Sequence, residues 1–374
     1  VFGPGKVNKA GELAKPYGKK ALIVTGKSSA KKSGLYDKVN DSLKQAGLET
    51  ELFDKVSQNP LTTTAGEGAA YAKEKGCDVV VAIGGGSIMD CAKAIAFLAV
   101  NDGDVSDYIF GKKSGDKALP LILIPTTCGT GSEVTNVAVA SIPSLNLKKG
   151  IADEETYADI AVLIPESLQG LPDKVFATSS VDALIHAVES FLSPKASPFT
   201  EMYSVKAIEM IMNGYKEIIA AGGNTAENRK PHLKDFCLAA NYAGIAFGNA
   251  GCGAVHALSY AHGGAFHIAH GEANFICFTE VFKMYMRKQP KGKIELANKL
   301  FADVLGCDPA DVYPALDEFL GKILEKKPLH EYGMTKDQVA EFAKSTVDNQ
   351  QRLLANNYVP LTEEEIAEIF ENLY

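Results

Sequence analysis

The first 170 residues alternate short β-branched runs with segments of helical periodicity, and this alternation is the feature that most constrains the fold. Strands are predicted at residues 21–25, 49–54, 78–83 and 121–124, and helices at 34–46, 63–75 and 88–100. Strand–helix–strand units of this length form parallel sheets. Residues 1–170 are therefore predicted to form a Rossmann-like α/β domain. Residues 137–162 are predicted to be irregular strand structure with a polar insertion at 144–150.

The pattern changes at Gly170-Leu171-Pro172, after which β-branched runs become rare. Helical periodicity then covers residues 173–192, 198–221, 227–247, 272–287, 292–305, 309–326, 335–349 and 362–373. Residues 171–374 are predicted to form a second, all-helical domain.

Charge and composition exclude several classes of function. The formal net charge of −8 disfavours a protein that binds the nucleic-acid backbone. No uninterrupted apolar run reaches the roughly 18–20 residues needed to span a bilayer. The seven cysteines contain no Cys-x-x-Cys pair, which is typical of a reduced, cytoplasmic protein. We expect a cytoplasmic protein with a small-molecule substrate and no nucleic-acid or membrane partner.

Two glycine-rich loops follow predicted strands in the first domain. Gly84-Gly85-Gly86-Ser87 stands between a buried strand and a helix, where backbone N–H groups and the helix dipole can hold a pyrophosphate, with Ser87 as the helix cap. The loop Thr126–Gly131 follows the next strand and is rich in hydroxyl groups. A tight turn without any ligand is the alternative for the first loop, but two such loops in one sheet favour dinucleotide binding.

The second domain contains a carboxylate and histidine set. Asp182 and His186 are four residues apart in a helical segment, so their side chains share one face. His256 and His270 follow later in the chain, separated by Gly263-Gly264, where we expect the chain to turn back. Three imidazoles and one carboxylate would suit Fe²⁺ or Zn²⁺. Ordinary core histidines in a glycine-rich bend are the alternative.

Taken together, these motifs resemble the iron-dependent (group III) alcohol dehydrogenase family. The resemblance runs through Gly84–Asp90, Pro125–Glu133, Asp182-Ala-Leu-Ile-His186 and the pair His256 and His270, in the family's order and over nearly the whole chain. Residues 128–139, 148–152, 178–193 and 241–260 are most similar to the 4-hydroxybutyrate dehydrogenases. The implied activity is interconversion of 4-hydroxybutyrate and succinate semialdehyde by hydride transfer with NAD or NADP.

The resemblance also implies roles for individual residues. The metal, expected to be Fe²⁺ with Zn²⁺ as the alternative, would be held by Asp182, His186, His256 and His270. The cofactor would be bound by Gly26, Asn59, Gly84, Gly85, Gly86, Ser87, Thr126, Thr127, Thr130, Gly131 and Lys149. A homo-oligomer, dimeric or larger, is expected as well.

The chain departs from the family pattern at three positions. Gly26 replaces an aspartate that disfavours a 2′-phosphate, which leaves the choice between NAD and NADP open. Tyr260 replaces a histidine proposed to relay protons, so we name His267 with Tyr260 as candidate catalytic residues. Ala269 replaces the proline before His270. The substrate carboxylate has no evident partner, although Arg352 and Asn356-Asn357 form one candidate polar cluster.

Three alternatives stay open at this point. The first is a broad primary-alcohol, butanol or 1,3-propanediol dehydrogenase of the same family. The second is an enzyme of the dehydroquinate synthase type, which shares the architecture. The third is a non-catalytic small-molecule binding protein, which would need no metal.

Overall fold

The computed structural model describes residues 1–142 and 147–374, which divide into two compact units, Val1–Gly170 and Leu171–Tyr374. The first unit contains a parallel sheet with flanking helices, and the second is built from helices. This confirms the predicted fold class, an α/β domain followed by an all-α domain.

The parallel sheet has five strands in the order β2-β1-β3-β4-β7. The central strands are buried along their length, as expected for a sheet covered on both faces. An antiparallel pair, β5 and β6, forms a separate two-stranded sheet. The strands are β1 (Lys20–Gly26), β2 (Glu49–Val56), β3 (Val79–Gly84), β4 (Leu121–Pro125), β5 (Val137–Ile142), β6 (Leu147–Ala152) and β7 (Ile160–Ala161).

Helices cover both faces of the parallel sheet. Alternate side chains of β3 enter opposite cores, with Val80 in the core that contains Ile95 and Val81 in the core that contains Val39. The helices of this unit are α1 (Ala10–Ala14), α2 (Ser29–Lys32), α3 (Leu35–Gln45), α4 (Thr62–Lys75), α5 (Gly86–Leu98) and α6 (Val105–Ile109).

The predicted irregular region at 137–162 is more regular than expected. Strands β5 and β6 pair from Val137↔Ala152 to Ile142↔Leu147. The prediction of a polar insertion at 144–150 is therefore wrong for residues 147–150, which lie in β6, while 144–146 lie outside the described residues. Backbone pairing satisfies these amides in spite of the polar side chains.

The second unit is organised around one buried helix, α7, which packs against α8, α10 and α12. Its helices are α7 (Asp173–Leu192), α8 (Pro198–Ala220), α9 (Ala226–Arg229), α10 (Leu233–Ala250), α11 (Ala254–Ala265), α12 (His270–Lys288), α13 (Lys293–Leu305), α14 (Val312–Gly321), α15 (Gln338–Asn349), α16 (Gln351–Leu354) and α17 (Glu363–Leu373).

Two features of this unit differ from the sequence prediction. The predicted helix 227–247 is interrupted by a 3₁₀ turn, Lys230–His232, because Pro231 cannot continue an α-helix. Helix α11 was not predicted, and it contains Gly263-Gly264, where we expected the chain to reverse. The reversal comes later, at residues 266–269, where His267 has a φ of 54°.

Helix α7 is the one helix in the described part of the chain that is long and apolar enough to cross a membrane. The sequence prediction considered only uninterrupted apolar runs. It therefore did not find the 18-residue apolar window of this helix, which contains charged residues. In the structure 89% of that window is buried, as in the core helix of a folded domain. The helix is therefore weak evidence for a membrane span.

The contact between α7 and α12 depends on Gly271. A Cβ atom at this position would lie 1.9 Å from the carbonyl oxygen of Thr178 and 3.0 Å from the Cβ of Asp182. The absence of a side chain thus lets the start of α12 approach the middle of α7. His270, the first residue of α12, is brought to Asp182 by this approach.

We predict that Gly271→Ala lowers the free energy of unfolding by about 1–3 kcal/mol, because backbone atoms must move apart. The matched control is Gly264→Ala in the last turn of α11, where a Cβ meets nothing within 4 Å. It should be neutral, or stabilising by up to about 1 kcal/mol. Urea unfolding of both variants measures the difference, and equal stabilities would contradict the close packing.

Candidate functional site

The first unit places most of the predicted cofactor residues along one edge of its sheet. The parallel register aligns Gly26 with Val56 and Gly84 with Pro125, so four strands end together. Asn59, the glycine loop and the threonine loop all follow these ends, and Asn59 adopts a φ of 54°. We call this the carboxyl edge. Ligands of open parallel sheets bind at such an edge.

The two loops at the carboxyl edge pack directly on each other. Thr126 donates its backbone N–H to Gly84 O at 3.0 Å. A Cβ on Gly85 would lie 3.0 Å from Thr127 Cγ2, and one on Gly86 would lie 2.6 Å from Thr130 Cγ2. The glycines are therefore required for the packing of the two loops, and binding of a dinucleotide by the first loop stays a prediction.

The helix after the first loop begins two residues earlier than predicted. Helix α5 starts at Gly86 with Gly85 as its N-cap, so Ser87 lies in the first turn and is not the cap. Gly85 takes this position because its backbone is extended where the strand ends. Within this first turn Ile88 N–H donates to Gly85 O at 3.0 Å, whereas the N–H groups of Gly86 and Ser87 precede the first helical hydrogen bond and can be offered to an anion.

Two charged residues that were not predicted from the sequence form hydrogen bonds with the chain that follows the second loop. Asp90 accepts hydrogen bonds from Ser132 Oγ at 2.6 Å and from Val139 N at 3.1 Å. Lys93 is fully buried and donates to the carbonyls of Thr135 at 2.8 Å and Val137 at 2.9 Å. Burial lowers the pKa of Lys93 to about 8. The signal in the sequence that could have found Asp90 and Lys93 is their position, three residues apart in an otherwise apolar helix.

Lys149 and Gly26 complete the predicted cofactor set. Lys149 lies on the hairpin strand β6, outside the parallel sheet, with its ammonium 5.0 Å from the centre of the Phe110 ring. Gly26 ends β1, and a Cβ there would make only ordinary contacts, 3.5 Å from Val56 O and 3.7 Å from Ile88 Cδ1. Packing at the Cβ therefore does not require glycine at position 26.

The second unit brings the four predicted metal ligands together. Asp182 and His186 come from α7, His256 from α11 and His270 from the start of α12. One ligand atom of each lies within 4.8 Å of one ligand atom of every other. Measured to the nearest oxygen of Asp182, the imidazole nitrogens are 4.0 Å away for His186, 3.9 Å for His256 and 3.8 Å for His270. We call this group the histidine cluster.

The surroundings of the cluster favour a cation at its centre. The amide nitrogen Asn274 Nδ2 carries partial positive charge and contacts three of the four ligand side chains. It lies 2.8 Å from Asp182 Oδ1, 3.1 Å from His256 Nε2 and 3.3 Å from His270 Nε2. These three atoms therefore already face a group with partial positive charge. Burial opposes ionisation of Asp182, but the histidines and Asn274 lower its pKa overall. An ionised carboxylate with three imidazole donors fits Fe²⁺ or Zn²⁺.

Glu189, which sequence analysis did not single out, orients one member of the cluster. Its Oε2 is 2.5 Å from His256 Nδ1, and its Oε1 accepts from Val255 N at 2.7 Å. The contact holds a proton on Nδ1. It leaves Nε2, the ring nitrogen that faces Asp182, with a lone pair that can bind a metal ion. Glu189 lies one helical turn beyond His186 on α7, and this spacing was the signal that could have found it.

His186 is held by stacking. Its ring lies 4.2 Å from Phe247 and 4.7 Å from His256, measured between centroids, with interplanar angles of 17° and 20°. Two parallel neighbours fix the plane of the imidazole.

The two candidate catalytic residues differ in their surroundings. The Tyr260 ring lies 5.9 Å from the His270 ring, so Tyr260 adjoins the cluster. Burial raises the pKa of Tyr260, which keeps its phenol protonated at neutral pH. His267 is exposed in the turn before α12. A catalytic role for either stays a prediction.

Comparison with known proteins decides the family. The model for iron-containing alcohol dehydrogenases matches residues 1–165, and the model for the C-terminal part of the Fe-containing alcohol dehydrogenase family matches residues 176–374. The chain belongs to the iron-containing alcohol dehydrogenase family. It is thus an NAD(P)-dependent, metal-containing alcohol dehydrogenase. The alternatives of an enzyme of the dehydroquinate synthase type and of a non-catalytic binding protein are not retained.

Individual relatives agree with this assignment. The chain is 51% identical over 295 residues to a 4-hydroxybutyrate dehydrogenase of Clostridium kluyveri, covering 79% of this chain and 78% of that protein. It is 35% identical to long-chain-alcohol dehydrogenase 1 of Geobacillus thermodenitrificans, covering 96% and 90%. The crystal structure of a 1,3-propanediol oxidoreductase matches with a TM-score of 0.89 and 28% identity, covering 100% of this chain and 97% of that one.

We predict that Glu189→Gln and Glu189→Ala weaken divalent metal affinity about 10- to 100-fold, because His256 loses the partner that fixes its tautomer. Competition with a chromophoric chelator measures the affinity, and Co²⁺ absorption reports the ligand field.

The matched control for this prediction is Glu217→Gln, which removes a carboxylate 3.6 Å from His232 Nδ1 on the surface. Its metal affinity should equal that of the unmodified protein. Unchanged metal affinity in both Glu189 variants would refute the orienting role of Glu189.

Proposed function

We propose that this dehydrogenase interconverts 4-hydroxybutyrate and succinate semialdehyde. The observation that carries the proposal is 51% identity over 295 residues to a 4-hydroxybutyrate dehydrogenase. The more distant relatives act, by name, on long-chain alcohols and 1,3-propanediol. A broad primary-alcohol or 1,3-propanediol dehydrogenase is therefore the second candidate.

The histidine cluster would hold the metal. When bound, a divalent ion acts as a Lewis acid that lowers the pKa of an alcohol and polarises an aldehyde. Asp182, His186, His256 and His270 would supply the ligands, with Asp182 as the anionic one. Glu189 would keep His256 in the ligating tautomer, and burial of the cluster keeps bulk water away from most of these side chains.

The carboxyl edge would hold the dinucleotide. Backbone N–H groups at the start of α5 would bind the pyrophosphate, while Thr126, Thr127 and Thr130 provide hydroxyl groups close to the glycine loop. Asn59 and Lys149 are further proposed contacts. Because Gly26 presents no carboxylate to a 2′-phosphate, we propose that both NAD and NADP are accepted.

Asp90 and Lys93 support this edge without contacting the cofactor in our proposal. Their hydrogen bonds hold the chain from Ser132 to Val139, which follows the threonine loop. Homo-oligomerisation and a cytoplasmic location stay predictions.

Gly86→Ala should weaken dinucleotide binding about 10- to 100-fold, because the new Cβ forces apart two packed loops. Fluorescence titration with NADH measures the dissociation constant. Gly66→Ala in α4 is the matched control, since a Cβ there meets nothing within 4 Å. Adding Thr130→Ser to Gly86→Ala removes the methyl group in the clash and should restore part of the affinity. Unaltered NADH binding in Gly86→Ala would argue against this site.

A kinetic panel tests the substrate. The metal-loaded enzyme is assayed with succinate semialdehyde, butanal and 3-hydroxypropanal, each with NADH and NADPH. We expect kcat/KM for succinate semialdehyde to exceed that for butanal by about tenfold or more, because a built polar site discriminates against substrates that lack its partner. Removal of the metal by a chelator should abolish turnover, and Fe²⁺ or Zn²⁺ should restore it. Comparable kcat/KM values for all three aldehydes would favour the broad-specificity alternative.

A further inference from the structure

The chain has only three arginines, and two of them are fully engaged. Arg229 is buried and contacts Asp173 at 2.5 Å. Arg287 forms a two-pronged contact with Glu368 at 2.5 and 2.7 Å. Arg352 is exposed, and its side chain has no ion pair or hydrogen bond with any residue in 1–142 or 147–374. A guanidinium is the side chain best shaped to bind a carboxylate with two parallel hydrogen bonds.

Arg352 lies beside the histidine cluster. It is carried by α16, which packs against α11, the helix that contains His256 and Tyr260. The Arg352 guanidinium lies close enough to Tyr260 for its positive charge to act on the phenol group. Tyr260 in turn adjoins His270. The free guanidinium thus stands near one end of the cluster.

Asn356 and Asn357, the other two members of the polar cluster predicted from the sequence, are both buried. Asn356 donates to Ala250 O at 2.8 Å and to Cys252 O at 3.2 Å, which holds the loop before α11. Asn357 is buried and accepts from Tyr285 Oη at 3.2 Å. Asn357 Nδ2 has no hydrogen-bond partner among the described residues, but it is buried. Of the three residues in the predicted polar cluster, Arg352 alone is exposed.

The spacing along α11 matches a short acid. His256 and Tyr260 share one face of the helix and are four residues, about 6 Å, apart along its axis. In an extended four-carbon chain about 4 Å separates the carboxylate carbon from the carbinol carbon. A substrate oxygen at the cluster therefore leaves the carboxylate of a four-carbon acid near Tyr260, a residue of the helix that α16 contacts.

We propose that Arg352 is the specificity-determining residue that binds the far carboxylate of a short ω-hydroxy acid or its semialdehyde. The inference rests on the proposed function, because it names the group that recognises the substrate at that same site. An uncharged aldehyde of equal length gains nothing from this contact. Arg352 also supplies local positive charge in a chain whose net charge is −8.

The test is the ratio of kcat/KM for succinate semialdehyde to that for butanal, in the metal-loaded enzyme. Arg352→Gln should lower this ratio about 10- to 100-fold, mainly through KM for the acid, because a charge-assisted hydrogen bond is lost. Turnover of butanal should change little. Arg352→Lys should recover part of the ratio, since it keeps the charge without the planar fork. Arg287→Gln removes the other exposed arginine and should leave the ratio unaltered.

A second measurement does not depend on turnover. Butyrate should bind the metal-loaded enzyme, and Arg352→Gln should weaken that binding by a similar factor. Metal content and the thermal midpoint show whether Arg352→Gln is folded. If it is misfolded, the ratio measured for Arg352→Lys decides the test. An unchanged ratio, or an equal loss for both aldehydes, overturns the role of Arg352. If the unmodified enzyme itself prefers butanal, the proposed function fails instead.

Discussion

The helical unit depends on one buried charge, the carboxylate of Asp182, which is 3% exposed. An isolated carboxylate in a protein interior is costly, so its surroundings must supply compensating partners. Here three imidazoles and the Asn274 amide surround it, and Glu189 adds a second carboxylate behind His256. A divalent ion at this place would neutralise both carboxylates. The cluster therefore makes more electrostatic sense as a metal site than as a group of ordinary core histidines.

Helix packing makes this arrangement possible. Helix α7 contributes the carboxylate from its buried middle, and α12 can begin beside it because Gly271 has no side chain. The short turn at residues 266–269 then carries the chain from α11 back to His270. The rings of Phe247 and His256 stack on His186 and fix its plane. Phe247 is not one of the proposed ligands, whereas His256 is.

In the α/β unit the corresponding constraint is the parallel register of the strands. Because Gly84 pairs with Pro125, the glycine and threonine loops leave the sheet side by side. Their close packing, together with the contacts of Lys93 and Asp90, holds the two loops and the chain that follows them in place at this edge. Backbone N–H groups held in this way are suited to bind an anion without further ordering.

Much of the fold could be predicted from the sequence, because periodicity reports local structure directly. Helix α7 was predicted at 173–192 and lies at Asp173–Leu192. Helix α11 was missed because His256 and the Gly263-Gly264 pair read as a loop, although a buried apolar face stabilises them as helix. Ser87 was expected to cap α5, but Gly85, whose backbone is extended, is the N-cap, so the helix begins two residues earlier, at Gly86.

The sequence by itself determined the two domains, the loops at strand ends and the identity of the four candidate ligands, since residue type and spacing along one chain carry that information. Only the tertiary structure decided how groups distant in sequence meet. Glu189 and His256 are 67 residues apart, and nothing in their local sequence pairs them. Likewise, it is the packing of α16 on α11 that places Arg352 near the cluster while Asn356 and Asn357 turn inward. Such contacts arise from the burial of helix faces against one another, which periodicity predicts for each helix but not for each pair.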